Sequence, residues 1–141
     1  MSKEPSEKYL LDSDVLINYL RRDLNAYRLM KMIEEGRMMG HFSVIVETEL
    51  YSGIRDAKER EAVEDVLALM KRITIHKRIA ILAGEYRSKY FRSHSLETPD
   101  ALIAASAKLN GLTLVTENKR HFEMIEGLKV VSTADIISGV K

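Results

Sequence analysis

The amino-acid sequence predicts an α/β fold in which a central, mainly parallel sheet lies between two layers of helices. Short apolar segments with strand character alternate along the chain with longer segments whose apolar residues recur at helical spacing. Most of the strand segments are rich in apolar residues, as in parallel sheets that are covered on both faces. Because 141 residues are enough for one buried core, we expect a single domain over residues 1–141, with residues 1–8 as a flexible N-terminal lead.

The first half of the chain contains two predicted strands, each followed by helical segments. A short apolar run leads directly into residues that cap helices well. We expect Gly36 and Gly53 to end two helical segments, because glycine is favoured just beyond a helix C-terminus. Gly40 interrupts the second predicted strand. The predicted elements are a strand at 9–12, a helix capped by Ser13 or Asp14 and running through Leu20, a helix at 24–35, a strand at 38–44 and a helical turn at 47–50.

The second half continues the same alternation. Apolar residues between 58 and 70 share one helical face, and Pro99 follows Thr98, as is typical of a helix start. The predicted elements are a helix at 58–70, a strand at 73–76, a helix at 78–93, a helix that Thr98 caps and that ends near Gly111, a strand at 112–116, a polar turn at 117–121, a strand at 128–131 and a helix from Thr133.

The composition excludes several classes of protein. Hydrophobic residues make up 45% and charged residues 30% of the chain, which is ordinary for a globular domain rather than a disordered one. The absence of cysteine excludes disulfides, thiolate catalysis and cysteine-based metal centres. The polar N-terminus, and the interruption of the next apolar run by Asp12, predict neither a signal peptide nor a membrane span. We therefore expect a cytoplasmic protein with no membrane partner.

Charge is balanced over the whole chain but not locally. The net charge of +1 gives no general indication of nucleic-acid binding, although a neutral total can include an acidic pocket within basic surroundings. A basic stretch runs from Lys71 to Arg92. By itself, that stretch is typical of solvated helix faces.

Three acidic residues, Asp12, Glu49 and Asp100, each lie where an apolar segment meets a helix start or a polar turn. In an open parallel sheet the binding crevice lies at the carboxyl ends of the strands, so these residues can converge. Two unit charges about 4 Å apart repel by roughly 4 kcal/mol at an effective dielectric constant near 20. A pocket that contains them must retain protons at raised pKa values or bind a divalent cation.

Each of these carboxylates also has an ordinary structural explanation. Asp12 can be a helix N-cap, Asp100 can interact with a helix dipole, and Glu49 can face solvent, with Glu47 as a competing candidate. Taken together, the three match an oxygen-rich site for Mg²⁺ or Mn²⁺, because these hard ions take carboxylate and water ligands. The chemistry that such a site predicts is metal-assisted hydrolysis.

Four segments resemble the motifs of PIN-domain ribonucleases of the VapC toxin type, over nearly the whole chain. The resemblance implies a three-layer α/β/α PIN-like fold and selects Glu49 over Glu47. The segments are YLLDSDVLI with Asp12, FSVIVETELYSGI with Glu49, PDALIAASA with Asp100, and TENKRHF, in which Thr116, Asn118, Arg120 and Phe122 match.

The fourth motif departs from that family at one position. His121 stands where the family usually has its fourth acidic residue. His121 could itself bind the metal, Asn118 could complete the site, or Glu117 or Glu97 could reach into it. A surface histidine with no ligand role is the remaining alternative.

The resemblance implies a metal-dependent endoribonuclease that hydrolyses phosphodiester bonds of single-stranded or looped RNA with one or two Mg²⁺ or Mn²⁺ ions. Asp12 and Asp100 would hold the metal, and Glu49 would bind or orient a second ion or a water. It also implies the toxin of a toxin–antitoxin pair, forming a homodimer that a small antitoxin inhibits. Supporting contacts would come from Ser13, Asp14, Thr116 and Asn118, and RNA contacts from Lys119 and Arg120.

Two other functions are compatible with the sequence. The segment LLDSDVLI also resembles the first motif of haloacid-dehalogenase-type phosphatases, in which Asp12 would be a nucleophile and Asp14 an acid or base. Alternatively, a PIN-type domain that lost catalysis with its fourth carboxylate would only bind RNA or a protein.

Overall fold

The computed structural model describes residues 7–139, which form five strands, seven α-helices and one 3₁₀ turn. The strands are β1 (Lys8–Leu11), β2 (Met39–Ser43), β3 (Lys71–Ile73), β4 (Thr113–Val115) and β5 (Val130–Val131). The helices are α1 (Ser13–Leu20), α2 (Leu24–Glu34), α3 (Val44–Ser52), α4 (Ala57–Leu67), α5 (Lys77–His94), α6 (Thr98–Leu109) and α7 (Thr133–Ser138), and the 3₁₀ turn covers Lys119–His121.

The five strands form one sheet in the order β3-β2-β1-β4-β5, with every neighbouring pair parallel. The connections from β1 through β3 run one way across the sheet, and the connection from β3 to β4 runs back. Right-handed crossovers therefore place α1 to α4 on one face and α5 and α6 on the other. The predicted three-layer α/β/α fold with a mainly parallel sheet is confirmed.

The core lies between the sheet and its two helical layers. Leu10 and Leu11 of β1 and Leu114 and Val115 of β4 are fully buried, as expected for central parallel strands. Helix α7 at the sheet edge begins with a capping box, in which Ser132 and Asp135 satisfy each other's backbone N–H groups. No helix in residues 7–139 is both long and apolar enough to cross a lipid bilayer.

Three details of the predicted elements are wrong. Strand β3 lies at Lys71–Ile73 rather than at 73–76, because its partner β2 ends at Ser43 opposite Ile73 and turns into α3. Asp12, not Ser13 or Asp14, is the N-cap of α1, because β1 ends immediately before it. Thr98 is the first residue of α6, and Glu97 occupies the cap position.

Only the last two residues of the predicted flexible lead, which covers residues 1–8, are among those that the structure describes. Residues 1–6 lie outside the described residues. Lys8 begins β1, and the carbonyl of Glu7 accepts a 3.0 Å hydrogen bond from the Met39 amide. The ladder between the central strand β1 and β2 therefore includes the last two residues of this segment.

Gly40 in the middle of β2 is explained by its surroundings. A Cβ atom at this position would lie 2.8 Å from Ile33 Cδ1 and 3.0 Å from Met70 Cγ. The side chains of α2 and of the residues before β3 therefore occupy the space in which a side chain would lie. Gly84 in α5 differs, since a Cβ there would meet nothing within 4 Å.

Gly40→Ala should lower the free energy of unfolding by about 1 kcal/mol, because the new methyl group overpacks the space against Ile33 and Met70. Gly84→Ala is the matched control and should raise it by about 0.5–1 kcal/mol, because alanine loses less conformational entropy in a helix. Urea denaturation of both variants measures these changes. A stabilising effect of Gly40→Ala would contradict the packing.

A candidate metal site at the carboxyl ends of β1 and β4

Asp12 lies at the point where the strand order of the sheet reverses. Connections leave β1 toward β2 on one side and enter β4 on the other, and crevices at such switch points are usual binding sites. The Asp12 amide donates to the Val115 carbonyl at 2.9 Å, which extends the ladder between β1 and β4 by one bond. Its carboxylate accepts from the Ser13 amide at 2.8 Å and from the Thr116 hydroxyl at 2.9 Å. Asp12 is thus both the cap of α1 and a buried carboxylate of the crevice.

Asp14 points into the same crevice from the first turn of α1. Its Oδ2 accepts hydrogen bonds from the Glu117 amide at 3.0 Å and from the Asn118 side-chain amide at 3.1 Å, and it lies 3.3 Å from the Thr116 hydroxyl. Its Oδ1 is buried and has no hydrogen-bond partner within residues 7–139. A buried carboxylate oxygen without a donor requires an explanation, and a bound cation would supply one.

Glu49 reaches the crevice from α3. The buried Ser43 caps this helix by accepting a hydrogen bond from the Val46 amide at 3.2 Å, which sets its start at the end of β2. The Glu49 carboxyl interacts with the Ser13 hydroxyl and with the charges of Asp14 and Asp100.

Glu47, the competing candidate, is ion-paired elsewhere. Both of its carboxylate oxygens accept hydrogen bonds from Arg72, each at 2.8 Å. The two glutamates of α3 therefore have different partners. Glu47 pairs with Arg72, and Glu49 faces the other carboxylates.

Asp100 enters from the first turn of α6, and His121 lies beside it. The His121 Nδ1 atom is 3.4 Å from Asp100 Oδ2, and the His121 side chain remains 60% exposed. Helix α3 contacts both α1 and α6, which explains how carboxylates from three separate helices share one crevice. The imidazole stands at the mouth of the crevice, between Asp100 and solvent.

Burial raises the pKa values of Asp12 and Glu49, and charge coupling to Asp14 and Asp100 raises them further. Burial, followed by the neighbouring charge of Asp14, raises the pKa of Asp12 to about 7, and Asp100 adds to this effect. Burial is also the main cause of the raised pKa values of Asp14, Glu49 and Asp100. Hydrogen bonds from Thr116 and the Ser13 amide oppose the increase at Asp12, and the proximity of His121 opposes it at Asp100. Such coupling is typical of functional sites.

The turn that follows β4 is held in place from α7. The Glu117 carboxylate accepts a hydrogen bond from the Thr133 amide at 2.9 Å, and Lys119 Nζ lies 3.0 Å from Asp135 Oδ2. The ammonium of Lys119 is therefore engaged in positioning the turn. The side chain of Arg120 next to it is exposed.

Two other candidates lie at the margin of this arrangement. Glu97 is exposed at the cap position of α6, and its charge raises the pKa of Asp100. The backbone amide of Asn118 donates to the Thr116 hydroxyl at 3.1 Å and its side-chain amide donates to Asp14, so this residue links the fourth motif to the first. Its side-chain oxygen remains available at the crevice.

The chemistry of this donor set fits a hard divalent cation. Its groups are carboxylate, hydroxyl and amide oxygens, the ligands that Mg²⁺ and Mn²⁺ prefer, and one carboxylate oxygen of Asp14 is buried without a donor. In the arrangement seen here, no three Asp, Glu or His side chains of the described residues are positioned to hold one ion together. The side chains therefore converge on one crevice without forming a closed coordination shell.

Comparison with known proteins agrees with this geometry. The PIN domain family profile matches residues 9–128, a range that contains every carboxylate of the crevice. The chain belongs to the PIN domain family. The resemblance inferred from the four motifs is confirmed, and PIN membership favours this interpretation over the haloacid-dehalogenase-type phosphatase.

Individual PIN-domain relatives cover most of the chain. Ribonuclease VapC10 of Mycobacterium tuberculosis is 39% identical over 122 residues, which are 85% of this chain and 90% of the relative. Ribonuclease VapC1 of Methanocaldococcus jannaschii is 30% identical over 133 residues, which are 92% of this chain and 90% of the relative.

Solved PIN-domain structures have the same fold. A toxin–antitoxin complex from Klebsiella pneumoniae superimposes with a TM-score of 0.73 at 26% identity, covering 89% of this chain and 97% of that chain. VapBC2 from Rickettsia felis, bound to a DNA fragment from its promoter, superimposes with a TM-score of 0.78 at 20% identity, covering 89% and 98% of the two chains.

The role of Asp14 is larger than its place in the sequence indicates. The motif suggests a supporting residue, but the structure gives it an unpartnered buried oxygen and makes it the nearest charge that raises the pKa of Asp12. The feature of the sequence that indicates this role is the two-residue spacing of Asp12 and Asp14. Because α1 begins directly after Asp12, the carboxylate of Asp14 lies in the first turn of that helix.

In metal-free protein, the free energy of unfolding should fall as pH rises from about 4 to about 7. The folded state holds the Asp12 proton more tightly than the unfolded chain, because the pKa rises from 3.8 to about 7 on folding. Ionisation of this group therefore costs stability over that interval, by at most roughly 4 kcal/mol.

Asp12→Asn should flatten this pH dependence, since asparagine keeps the helix cap but carries no charge. Asp23→Asn, at the N-cap of α2 outside the crevice, is the matched control and should leave the slope unchanged. Thermal unfolding with EDTA across this pH range measures the effect. Equal slopes in wild type and Asp12→Asn would refute it.

Proposed function

We propose that this protein is a metal-dependent endoribonuclease that cleaves single-stranded or looped RNA, as the toxin of a toxin–antitoxin pair. The observation that carries the proposal is the convergence of Asp12, Asp14, Glu49 and Asp100 in one crevice, where burial raises the pKa of each carboxyl group. The relatives named ribonucleases match 85% and 92% of the chain, and the PIN profile spans all four carboxylates.

Asp12 and Asp100 are the residues that would hold Mg²⁺ or Mn²⁺, and Glu49 would hold a second ion or orient the attacking water. The metal supplies a lowered pKa for bound water and stabilises charge on the phosphate oxygens. Thr116 keeps the Asp12 carboxylate turned into the crevice by a 2.9 Å hydrogen bond. Asn118 and the Glu117 amide hold Asp14 in the same way, so the carboxylates are oriented before any ion arrives.

The proposed partners follow from the relatives and from the charge of the crevice. RNA is the substrate, and Arg120, whose side chain is exposed next to His121 in the chain, would contact its backbone. Two of the similar solved structures are toxin–antitoxin or VapBC assemblies, which supports a small antitoxin as the inhibiting partner. We further propose a homodimer in the cytoplasm.

We propose that His121 acts as a ligand or a near neighbour of the ion in place of the family's fourth carboxylate. Its Nδ1 is already 3.4 Å from Asp100 Oδ2 and its side chain is open to solvent. Imidazole suits transition metals better than it suits Mg²⁺. A histidine in place of the acidic residue should therefore make the site bind Mn²⁺ more tightly than Mg²⁺. It should also leave the site with a single strongly bound ion.

One observation favours a second function, a PIN-type module that binds RNA or protein without cutting. Within residues 7–139 no three acidic or histidine side chains stand ready to hold one ion, and His121 replaces the family's usual acid. In that case Asp14 Oδ1 would be satisfied by water or by a basic group of a partner.

Asp12→Asn should abolish Mn²⁺-dependent cleavage of single-stranded RNA while the protein stays folded. Glu49→Gln should lower the rate by about 100-fold, because a site carboxylate is lost. Glu47→Gln, the same exchange two residues away, removes only the exposed pair with Arg72. It should leave cleavage unchanged and cost at most about 1 kcal/mol of stability.

A gel-based cleavage assay with circular dichroism as the folding control measures all three variants. Cleavage by Asp12→Asn at the wild-type rate would refute the metal site. Equal losses in Glu47→Gln and Glu49→Gln would show that α3 as a whole, rather than Glu49, matters.

His121→Asp should tighten Mg²⁺ binding roughly ten-fold, because a carboxylate replaces a neutral or cationic group beside Asp100. His76→Asp, at an exposed histidine that caps α5, is the matched control and should not change it. Calorimetric titration of each protein with Mg²⁺ and with Mn²⁺ measures these affinities directly. Absence of any Mn²⁺ binding to wild type at millimolar metal would favour the non-cleaving module.

A further inference from the structure

An exposed aromatic–arginine pair lies near the C-terminal end of α5, apart from the carboxylates. Phe91 is 43% exposed, and the guanidinium carbon of Arg87 lies 4.3 Å from the centre of its ring. Arg87 Nε is buried and has no hydrogen-bond partner in the described part of the chain. Packing against the ring, rather than a hydrogen bond from Nε, therefore holds the guanidinium plane in position.

The helix that carries this pair is strongly basic. It contains five lysine or arginine residues and one glutamate, in a chain whose net charge is only +1. None of Arg78, Arg87 and Arg92 forms an ion pair within residues 7–139. Unpaired cations around an exposed ring are complementary to a phosphate backbone with accessible bases.

The basic end of α5 lies on the same side of the molecule as the carboxylate crevice. The Tyr90 hydroxyl accepts a 3.4 Å hydrogen bond from the amide of Glu126, which belongs to the segment after His121. Only three residues join α5 to α6, whose first turn carries Asp100. The chain from Phe91 to Asp100 therefore spans at most roughly 20 Å, about six nucleotides of a stacked strand.

We propose that Phe91, with Arg87 stacked on it, is a platform for a base of single-stranded RNA bound across the crevice. This inference rests on the proposed ribonuclease function and adds to it a binding position several nucleotides from the cleaved bond. Bases in single strands stack on aromatic rings and on guanidinium planes, whereas paired bases in a duplex are not accessible for this. The platform would thereby select unpaired RNA.

The same features disfavour a second copy of the chain as the occupant of this surface. Two α5 helices packed antiparallel about a two-fold axis would bring the basic N-terminal end of each against the basic C-terminal end of the other. Lys77 and Arg78 would then face Arg92. Repulsion between like charges makes such an interface unfavourable.

The test is RNA binding without cleavage, measured by fluorescence anisotropy in EDTA with a labelled oligouridylate of about 12 nucleotides. Phe91→Ala should weaken binding roughly ten-fold, and Phe91→Trp should restore it, because the lost term is base stacking. Ile81→Ala, at another exposed apolar residue of α5 (51% exposed), is the matched control and should leave affinity unchanged. An abasic strand of the same length should bind wild type and Phe91→Ala alike.

Three results would overturn the inference. Unchanged oligouridylate binding by Phe91→Ala would refute the platform while leaving the nuclease proposal intact. No oligouridylate binding by wild type in EDTA would also refute the platform, and the Mn²⁺-dependent cleavage assay would decide the nuclease proposal separately. A smaller sedimenting mass for Phe91→Ala, with RNA affinity per protomer unchanged, would instead make α5 an interface between protein chains.

Discussion

The parallel pairing of β1 with β4 is the constraint on which the rest of the site depends. It places the residue after each strand, Asp12 and Thr116, side by side, although 104 positions separate them in sequence. The hydroxyl of Thr116 then serves Asp12 directly and lies within reach of Asp14. The orientation of both carboxylates follows from this one register. A slip by one residue would turn Thr116 to the other face of the sheet.

This arrangement brings several carboxylates out of water where they repel one another. A structure that only needed stability would fill the crevice with apolar side chains, since buried charges are costly unless they are paired. The starts of α1 and α6 and the middle of α3 instead point acidic residues at a common space, supported by hydroxyl and amide donors. The raised pKa of Asp12 and the unpartnered oxygen of Asp14 are the signs of this cost. The observed chemistry therefore favours a cation-binding function over a purely structural one.

Much of the fold, and the positions of the main carboxylates, could be predicted from sequence, because both depend on local patterns. Apolar runs and capping residues indicate where strands end and helices begin, and Asp12 and Asp100 stand at those boundaries, whereas Glu49 lies within α3. The displaced start of β3 shows the limit of this reasoning. The segment around Ile73 has strand character beyond its actual end, but the end is decided by β2, which turns into a helix opposite it.

Contacts between distant segments could not be predicted in the same way. Nothing near Asp14 in sequence indicates that the turn after β4 would supply three of its neighbours, or that one of its oxygens would be left without a donor. Likewise, Arg72 lies 25 positions from Glu47, and their pairing leaves Glu49 as the glutamate of α3 that reaches the crevice. The sequence pattern therefore identifies the candidate carboxylates, and the tertiary contacts show which partners each of them has.

The bonds between the turn after β4 and α7 place part of the site's support outside the segment that defines the family. The PIN profile ends at residue 128, whereas the partners of Glu117 and Lys119 are Thr133 and Asp135. A chain cut at the family boundary would keep every candidate ligand and yet lose both anchors of the turn that carries Asn118 and His121. For this protein, the structural support of the candidate site therefore extends beyond the family profile, and α7 holds the fourth motif in place.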